Sequence, residues 1–148
     1  MEVKIKKDIV LVSGGFDPIH SGHIKLIKEA SNYGDIIVLL NSDNWLRKKK
    51  GKEFLSFDER KIILNSIKNV IDVVPCGNED KTCIDGIKLA ISKYSKNKIF
   101  FANGGDRNDN TTPEAIFCDQ NNIETLWGIG GNKKSNSSSW ILKKWSEK

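Results

Sequence analysis

His20 and His23 are the only histidines of the chain, and they stand three apart in Gly14-Gly15-Phe16-Asp17-Pro18-Ile19-His20-Ser21-Gly22-His23. An imidazole is a compact group that donates hydrogen bonds or carries charge near neutral pH. Two of them at i and i+3 point the same way from the first turn of a helix. A short apolar run precedes this stretch and a helical pattern follows it, so it reads as a strand-to-helix turn. Gly14 and Gly15 let the backbone approach a ligand closely, and Gly22 keeps a side chain from standing between the imidazoles. The helix start offers free N–H groups and a partial positive charge to an anion. These features make a cradle for a triphosphate. In it, His20 and His23 would stabilise charge developing on the phosphoryl group under attack and on departing pyrophosphate.

Such a turn needs a sheet to hold it, and the rest of the chain supplies the pattern. Residues 8–13 form a short β-branched apolar run, a buried strand by length and flanks. From Ser21 the apolar residues Ile24, Leu26, Ile27 and Ala30 recur at helical spacing, and Gly34 stops that helix. Residues 35–40 predict a second buried strand, followed by a basic loop. Ser56-Phe57-Asp58-Glu59 has a capping-box pattern opening a helix through about Lys68. Residues 71–74 predict a third strand closed by Pro75, and residues 81–93 a helix with Ile84, Ile87 and Ile91 on one face. A fourth strand is expected over 98–102, a short helix from Pro113, and a fifth strand over 123–127. A last helix is capped within Ser137-Ser138-Ser139.

Repeated βα units imply a mostly parallel sheet covered by helices on both faces. The expectation is an α/β fold: one Rossmann-like domain over residues 1–148 with a five-stranded sheet. Ligands of such sheets bind beyond the carboxyl ends of the strands, near the switch point. The segments falling there are 14–20, 41–51, 103–112 and 128–139, all rich in Gly, Asn, Asp, Ser or basic residues.

Composition narrows the classes. With 148 residues the chain has room for one core. No apolar run approaches the roughly 20 residues of a membrane span, and the N-terminus has no signal-peptide pattern. A cytoplasmic protein without a membrane partner is expected. Cys76, Cys83 and Cys118 lack paired metal-ligand spacing and read as reduced, partly buried thiols. No metal site of the protein's own is expected. Asp106 and Asp109 read as turn-capping residues before metal ligands. The net charge of +5 suits an anionic ligand or a lysine-rich surface. Nucleic-acid binding would need a basic stripe interleaved with aromatics, which the run from Arg47 to Lys52 lacks beyond Trp45. That run reads as a solvated stretch or as a lid that orders on substrate. Trp140, Leu142 and Trp145 read as packing on the sheet, with a subunit interface as the second reading.

The stretch from Gly14 to His23 closely resembles the signature of the cytidylyltransferase-like nucleotidylyltransferases, a superfamily including glycerol-3-phosphate cytidylyltransferase and heptose-1-phosphate adenylyltransferase. The resemblance extends to Asn41-Ser42-Asp43, Gly51-Lys52-Glu53-Phe54, Phe57-Asp58-Glu59-Arg60 and Asn103-Gly104-Gly105-Asp106. It implies that His20 and His23 contact the nucleotide phosphates and the transition state. Gly14, Gly15, Phe16 and Asp17 then line the nucleotide, the last two through N–H groups near the α-phosphate. Lys48 or Lys49 meets phosphate, with Lys49 the candidate for a catalytic role. Gly105 and Asp106 join the nucleotide site, Asn41 and Asp43 are placed with the acceptor, and Asp43 lies where such enzymes orient acceptor or nucleotide hydroxyls. Arg60 reaches the acceptor's phosphate and assists catalysis. The resemblance also implies Mg²⁺ carried by the triphosphate, and a homodimer or larger homo-oligomer.

The last loop departs from the resemblance. Relatives carry an Arg/Asp-rich segment ending in Ser-Thr-Thr, whereas this chain has Lys133-Lys134-Ser135-Asn136-Ser137-Ser138-Ser139. Phosphate binding by Ser137, Ser138 and Ser139 at a helix N-terminus is still expected, with Lys133 or Lys134 as its basic partner. Only three of the 24 basic residues are arginines, Arg47, Arg60 and Arg107. All three fall at the proposed carboxyl edge, where arginine suits bidentate phosphate contacts. Arg107 is therefore assigned to the acceptor. Replacing Arg60 by Lys is expected to raise the acceptor KM and spare NTP binding. The function expected is transfer of CMP or AMP from CTP or ATP to a phosphorylated sugar or polyol. A sugar phosphate is favoured over glycerol 3-phosphate, and a nucleotide-binding protein without turnover is the reading from another class.

Overall fold

A computed structural model describes residues 8–104, 112–130 and 137–147. The chain runs β1 (Ile9–Gly14), α1 (Ser21–Ala30), β2 (Asp35–Asn41), α2 (Asp43–Lys50), α3 (Phe57–Asn65) and β3 (Val70–Cys76). It continues through α4 (Ile84–Lys93), β4 (Ile99–Gly104), α5 (Pro113–Gln120), β5 (Glu124–Ile129) and α6 (Ser138–Ser146). The five strands form one sheet in the order β3-β2-β1-β4-β5, and every pairing is parallel. The order reverses between β1 and β4, so the switch point lies where β1 ends in Gly14.

Central strands of a parallel sheet are covered on both faces and read as unbroken apolar runs. Ile9, Val10, Leu11 and Val12 of β1 are all fully buried, as are residues 36–40 of β2. One face carries Val10, Val12, Val38 and Leu40 against Ile27 and Ala30 of α1 and Leu64 of α3. The other carries Ile9, Leu11, Ile37 and Leu39 against Ile87 and Ala90 of α4 and Cys118 of α5. At Gly34, between α1 and β2, a Cβ would stand 2.1 Å from the carbonyl oxygen of Asp8. Glycine lets β2 enter the sheet beside β1 there, and Asp35 then donates its N–H to the same carbonyl at 2.8 Å.

Several boundaries differ from the sequence reading. The basic stretch expected as a loop is α2, capped by Ser42, whose side chain accepts the N–H of Trp45, and ended by Gly51 at φ 94. Its last turn holds Arg47, Lys48, Lys49 and Lys50, where cations favour the helix dipole. The third helix stops at Asn65, before the expected Lys68, and β3 continues past Pro75 to Cys76. Pro75 is exposed on an edge strand, a position where its missing N–H costs no ladder bond. The fourth helix starts three residues late because Asp80 takes the N–H and hydroxyl of Thr82 into a local turn. The sixth helix buries none of its residues. Trp140 and Trp145 are 55% and 77% exposed, and Trp145 meets Phe54 edge-on at 6.2 Å. None of the helices in the described residues is long and apolar enough to cross a membrane.

Candidate functional site

The strand β1 delivers Gly14 and Gly15 to the carboxyl edge, and α1 begins six residues later. At Gly15 a Cβ would press to 2.9 Å from Leu46, so α2 packs directly on the loop. Phe16 follows with φ 50, a left-handed turn that redirects the backbone. The N–H groups of Phe16 and Asp17 take no hydrogen-bond partner among the described residues. Amides left open in such a turn are available to an anion.

The two histidines cap α1 and each other. His20 is the N-cap residue, and its Nδ1 accepts the N–H of Gly22 at 3.0 Å. His23, at the third helical position, uses its Nδ1 to accept the N–H of His20 at 3.1 Å. This is a capping box built from imidazoles, and it closes two of the helix's unpaired donors. Both Nδ1 atoms act as acceptors, so each neutral ring carries its proton on Nε2. The rings stack with centroids 3.8 Å apart, and Phe16 leans on His23 at 4.6 Å. Burial, reinforced by His20, lowers the pKa of His23 to about 4. At neutral pH His23 is therefore an uncharged donor rather than an imidazolium.

Asp17 is 2% exposed and spends its carboxylate inside the protein. It accepts the N–H groups of Phe54 and Leu55, each at 2.6 Å, and pairs with Lys50 Nζ at 3.1 Å. Lys50 also donates to the carbonyl of Asp17 at 2.7 Å. The side chain of Asp17 thus fastens residues 54–55 to the loop after β1, while its backbone N–H takes no partner among the described residues. Of the consecutive lysines, Lys50 is the one held against that loop. Lys49 lies over Trp45 at 5.0 Å, and both Lys48 and Lys49 are exposed. Spacing alone did not single out Lys50; the helical turn of α2 and its stop at Gly51 do.

Arg60 requires a correction. Its guanidinium is fully buried and pairs with Asp43 at 2.7 Å. It also donates to the carbonyls of Leu55, Gly15 and Asn41 at 3.0, 2.9 and 2.8 Å. A guanidinium so enclosed does not reach an acceptor phosphate. It ties the ends of β1 and β2 to the start of α3 and aims Asp43, whose side chain remains 28% exposed. Arg47 is likewise committed, forming a two-pronged pair with Glu53 at 2.8 and 2.9 Å. The bidentate geometry of Arg47 is spent on a protein carboxylate. Asn41 is 5% exposed and sets its Nδ2 3.6 Å from the Cys76 sulfur.

The opposite wall is α6. Ser137 is its N-cap and accepts the N–H of Trp140 at 3.4 Å. Ser138 donates its hydroxyl to the carbonyl of Pro18 at 2.8 Å, docking the start of α6 on the loop after β1, while Ser139 is exposed. The N–H of Gly130, just after β5, bonds Glu29 in the last turn of α1 at 2.6 Å. Gly105, Asp106, Arg107, Asp109, Lys133 and Lys134 lie outside the described residues. Cys76, Cys83 and Cys118 are free, buried thiols. Among the described residues no cluster of three or more His, Cys, Asp or Glu side chains is placed to hold a metal ion.

Comparisons with known proteins show the family. A glycerol-3-phosphate cytidylyltransferase of Bacillus subtilis is 39% identical over 67 residues, covering 45% of this chain and 52% of that protein. The bifunctional protein HldE of Geobacter metallireducens is 32% identical over 152 residues, covering 95% of this chain and 28% of that protein. The chain thus spans about half the length of the one relative and about a quarter of the other. A crystal structure of the lipopolysaccharide core biosynthesis protein from Thermoplasma volcanium superposes with a TM-score of 0.63. That likeness covers 87% of this chain and 98% of the other at 18% identity, and it shows the fold. The cytidylyltransferase-like family model matches residues 11–128, from within β1 to within β5. The chain belongs to the cytidylyltransferase-like family.

Proposed function

We propose that this chain transfers a nucleotidyl group from CTP or ATP to a phosphorylated sugar or polyol, releasing pyrophosphate. The observation that carries the reading is the stacked histidine pair beside the open amides of Phe16 and Asp17. An acceptor phosphate oxygen attacks the α-phosphorus in line. One P–O bond forms to the acceptor, the α–β bridging P–O bond breaks, and its electron pair leaves on pyrophosphate. The acceptor is already an oxyanion, so positioning and charge stabilisation suffice. His20 and His23 donate from Nε2 to the phosphoryl oxygens, and Lys50 supplies the nearby positive charge. Ser137, Ser138 and Ser139 contribute the α6 N-terminus. Mg²⁺ belongs with the triphosphate and keeps most of its waters. A cytoplasmic, self-associating enzyme completes the reading.

Matches to HldE proteins cover from 50% up to 95% of this chain, and those to glycerol-3-phosphate cytidylyltransferases from 45% to 57%. This supports a sugar-phosphate acceptor, with glycerol 3-phosphate as the second reading. The test is pyrophosphate release across the four NTPs and a panel of phosphorylated sugars and polyols. Turnover with one NTP and one hydroxylated acceptor phosphate is expected. Nucleotide binding without release from any pair would leave a binding protein in its place.

A further inference from the structure

The helix α6 buries none of its residues, yet it is held at both ends. At its start, Ser138 donates its hydroxyl to the carbonyl of Pro18 at 2.8 Å. In its last turn, Trp145 meets the Phe54 ring edge-on, with centroids 6.2 Å apart and planes at 74°. Ser138 and Trp145 are about two helical turns apart, so both contacts lie on one face, spaced by about 10 Å along the axis. The helix therefore bridges the loop after β1 and the segment that follows α2.

Those two segments are also joined directly, through one side chain. Asp17 accepts the N–H groups of Phe54 and Leu55 at 2.6 Å each, and Lys50 pairs with the same carboxylate at 3.1 Å. Pro18 follows Asp17 in the chain. Asp17 to Phe54, Phe54 to Trp145 and Ser138 to Pro18 thus close a circuit of contacts through α6. In a closed circuit each contact limits the freedom of the others. Core packing does not account for its outer end: Trp145 and Phe54 are 77% and 48% exposed, so their meeting removes little apolar area from water. What an edge-on pair fixes is orientation. Residue 54 bears both the ring that Trp145 touches and the N–H that Asp17 accepts, so orienting the ring orients the donor.

We propose that Trp145 is a positioning residue for the nucleotide: through Phe54 it holds the Asp17 carboxylate and the Lys50 charge in the arrangement that receives the triphosphate. The inference rests on the nucleotidyl-transfer reading above and adds to it a residue remote from the reacting atoms. Without Trp145, residues 54–55 leave Asp17 for part of the time, and the triphosphate must gather them again on binding. Apparent affinity then falls with the fraction of molecules in the closed arrangement, while the chemical step at saturating nucleotide is the same.

The test compares wild type, Trp145→Ala and Trp145→Phe, with Phe54→Ala and the double alanine variant completing a cycle. Two quantities are measured: amide hydrogen exchange at Phe54 and Leu55 by NMR, and Kd for CTP and for ATP by calorimetry. In Trp145→Ala both amides should exchange about fivefold faster, and Kd for the nucleotide that binds should rise by about the same factor. Tm, acceptor KM and kcat at saturating nucleotide stay near wild type. Trp145→Phe restores both quantities, and the double variant loses no more than either single one. Unchanged exchange at Phe54 and Leu55, an unaltered Kd, additive losses in the double variant, or no rescue by Phe would overturn the proposal and leave nucleotidyl transfer standing. Binding of neither nucleotide by wild type, with no pyrophosphate release, would overturn both.

Discussion

The Nδ1 of His23 accepts the backbone N–H of His20 at 3.1 Å while the two rings stack at 3.8 Å. One nitrogen of each ring is thereby consumed in holding the first turn of α1, and a neutral ring then carries its proton on the other, Nε2. The cap and the chemistry use different nitrogens of the same side chains, so substitutions can separate them. Replacing His23 by Asn keeps an acceptor near the Nδ1 position and deletes the Nε2 donor. We expect Tm within a few degrees of wild type and kcat lower by about 10² to 10³, measured by differential scanning calorimetry and pyrophosphate release.

The pH dependence follows from the lowered pKa of His23. Between pH 4 and 6.5 the unfolded chain binds a proton at this residue that the folded chain does not. Stability contributed by the site is therefore complete above pH 6.5 and is lost as pH falls toward 4. Urea denaturation from pH 7 to 4 should show this loss in wild type and a smaller one in His23→Asn. A site that gained stability on acidification through pH 6 would mean that an imidazolium is favoured.

Arg60→Lys tests the buried guanidinium. Lys cannot reproduce bonds to three carbonyls and Asp43 at once. The expected result is a loss of about 2 kcal/mol or more in chemical denaturation, with NTP and acceptor parameters both impaired. A rise confined to acceptor KM at unchanged stability would restore the direct phosphate contact.

Lys50→Ala should raise NTP KM about tenfold, while Lys48→Ala and Lys49→Ala change it less than threefold. Steady-state kinetics of the three variants decides which lysine serves the phosphate loop. Equal effects would show a diffuse field instead of a placed charge.

Gly34→Ala is a control on the fold. Its Cβ would stand 2.1 Å from the Asp8 oxygen, and a cost of about 2 to 3 kcal/mol is expected. Wild-type stability would mean that β1 and β2 meet differently.

The alternation of elements was legible because each strand is a short β-branched run and each helix a periodic one. The strand-to-helix turn was legible because its pattern is local: Gly14 and Gly15 follow an apolar run, and His20 and His23 stand at the start of the helix that follows. Arg60 was misread for the opposite reason. Its partners Gly15, Asn41 and Asp43 are distant in sequence, and its type is equally suited to a phosphate or to carbonyl groups. The basic run from Arg47 hid a helix because charge masks the caps at Ser42 and Gly51. Trp140 and Trp145 were read as core from hydrophobicity alone, although amphipathic spacing does not say what covers a face.

The most direct measurement of the central claim is a ¹⁵N NMR titration of the two imidazoles. The account predicts that Nδ1 of each ring is an unprotonated acceptor, that His23 is neutral at pH 7 with its proton on Nε2, and that His23 takes up a second proton only near pH 4. An Nδ1–H tautomer at either ring, or a His23 imidazolium already formed near pH 6.5, would contradict it.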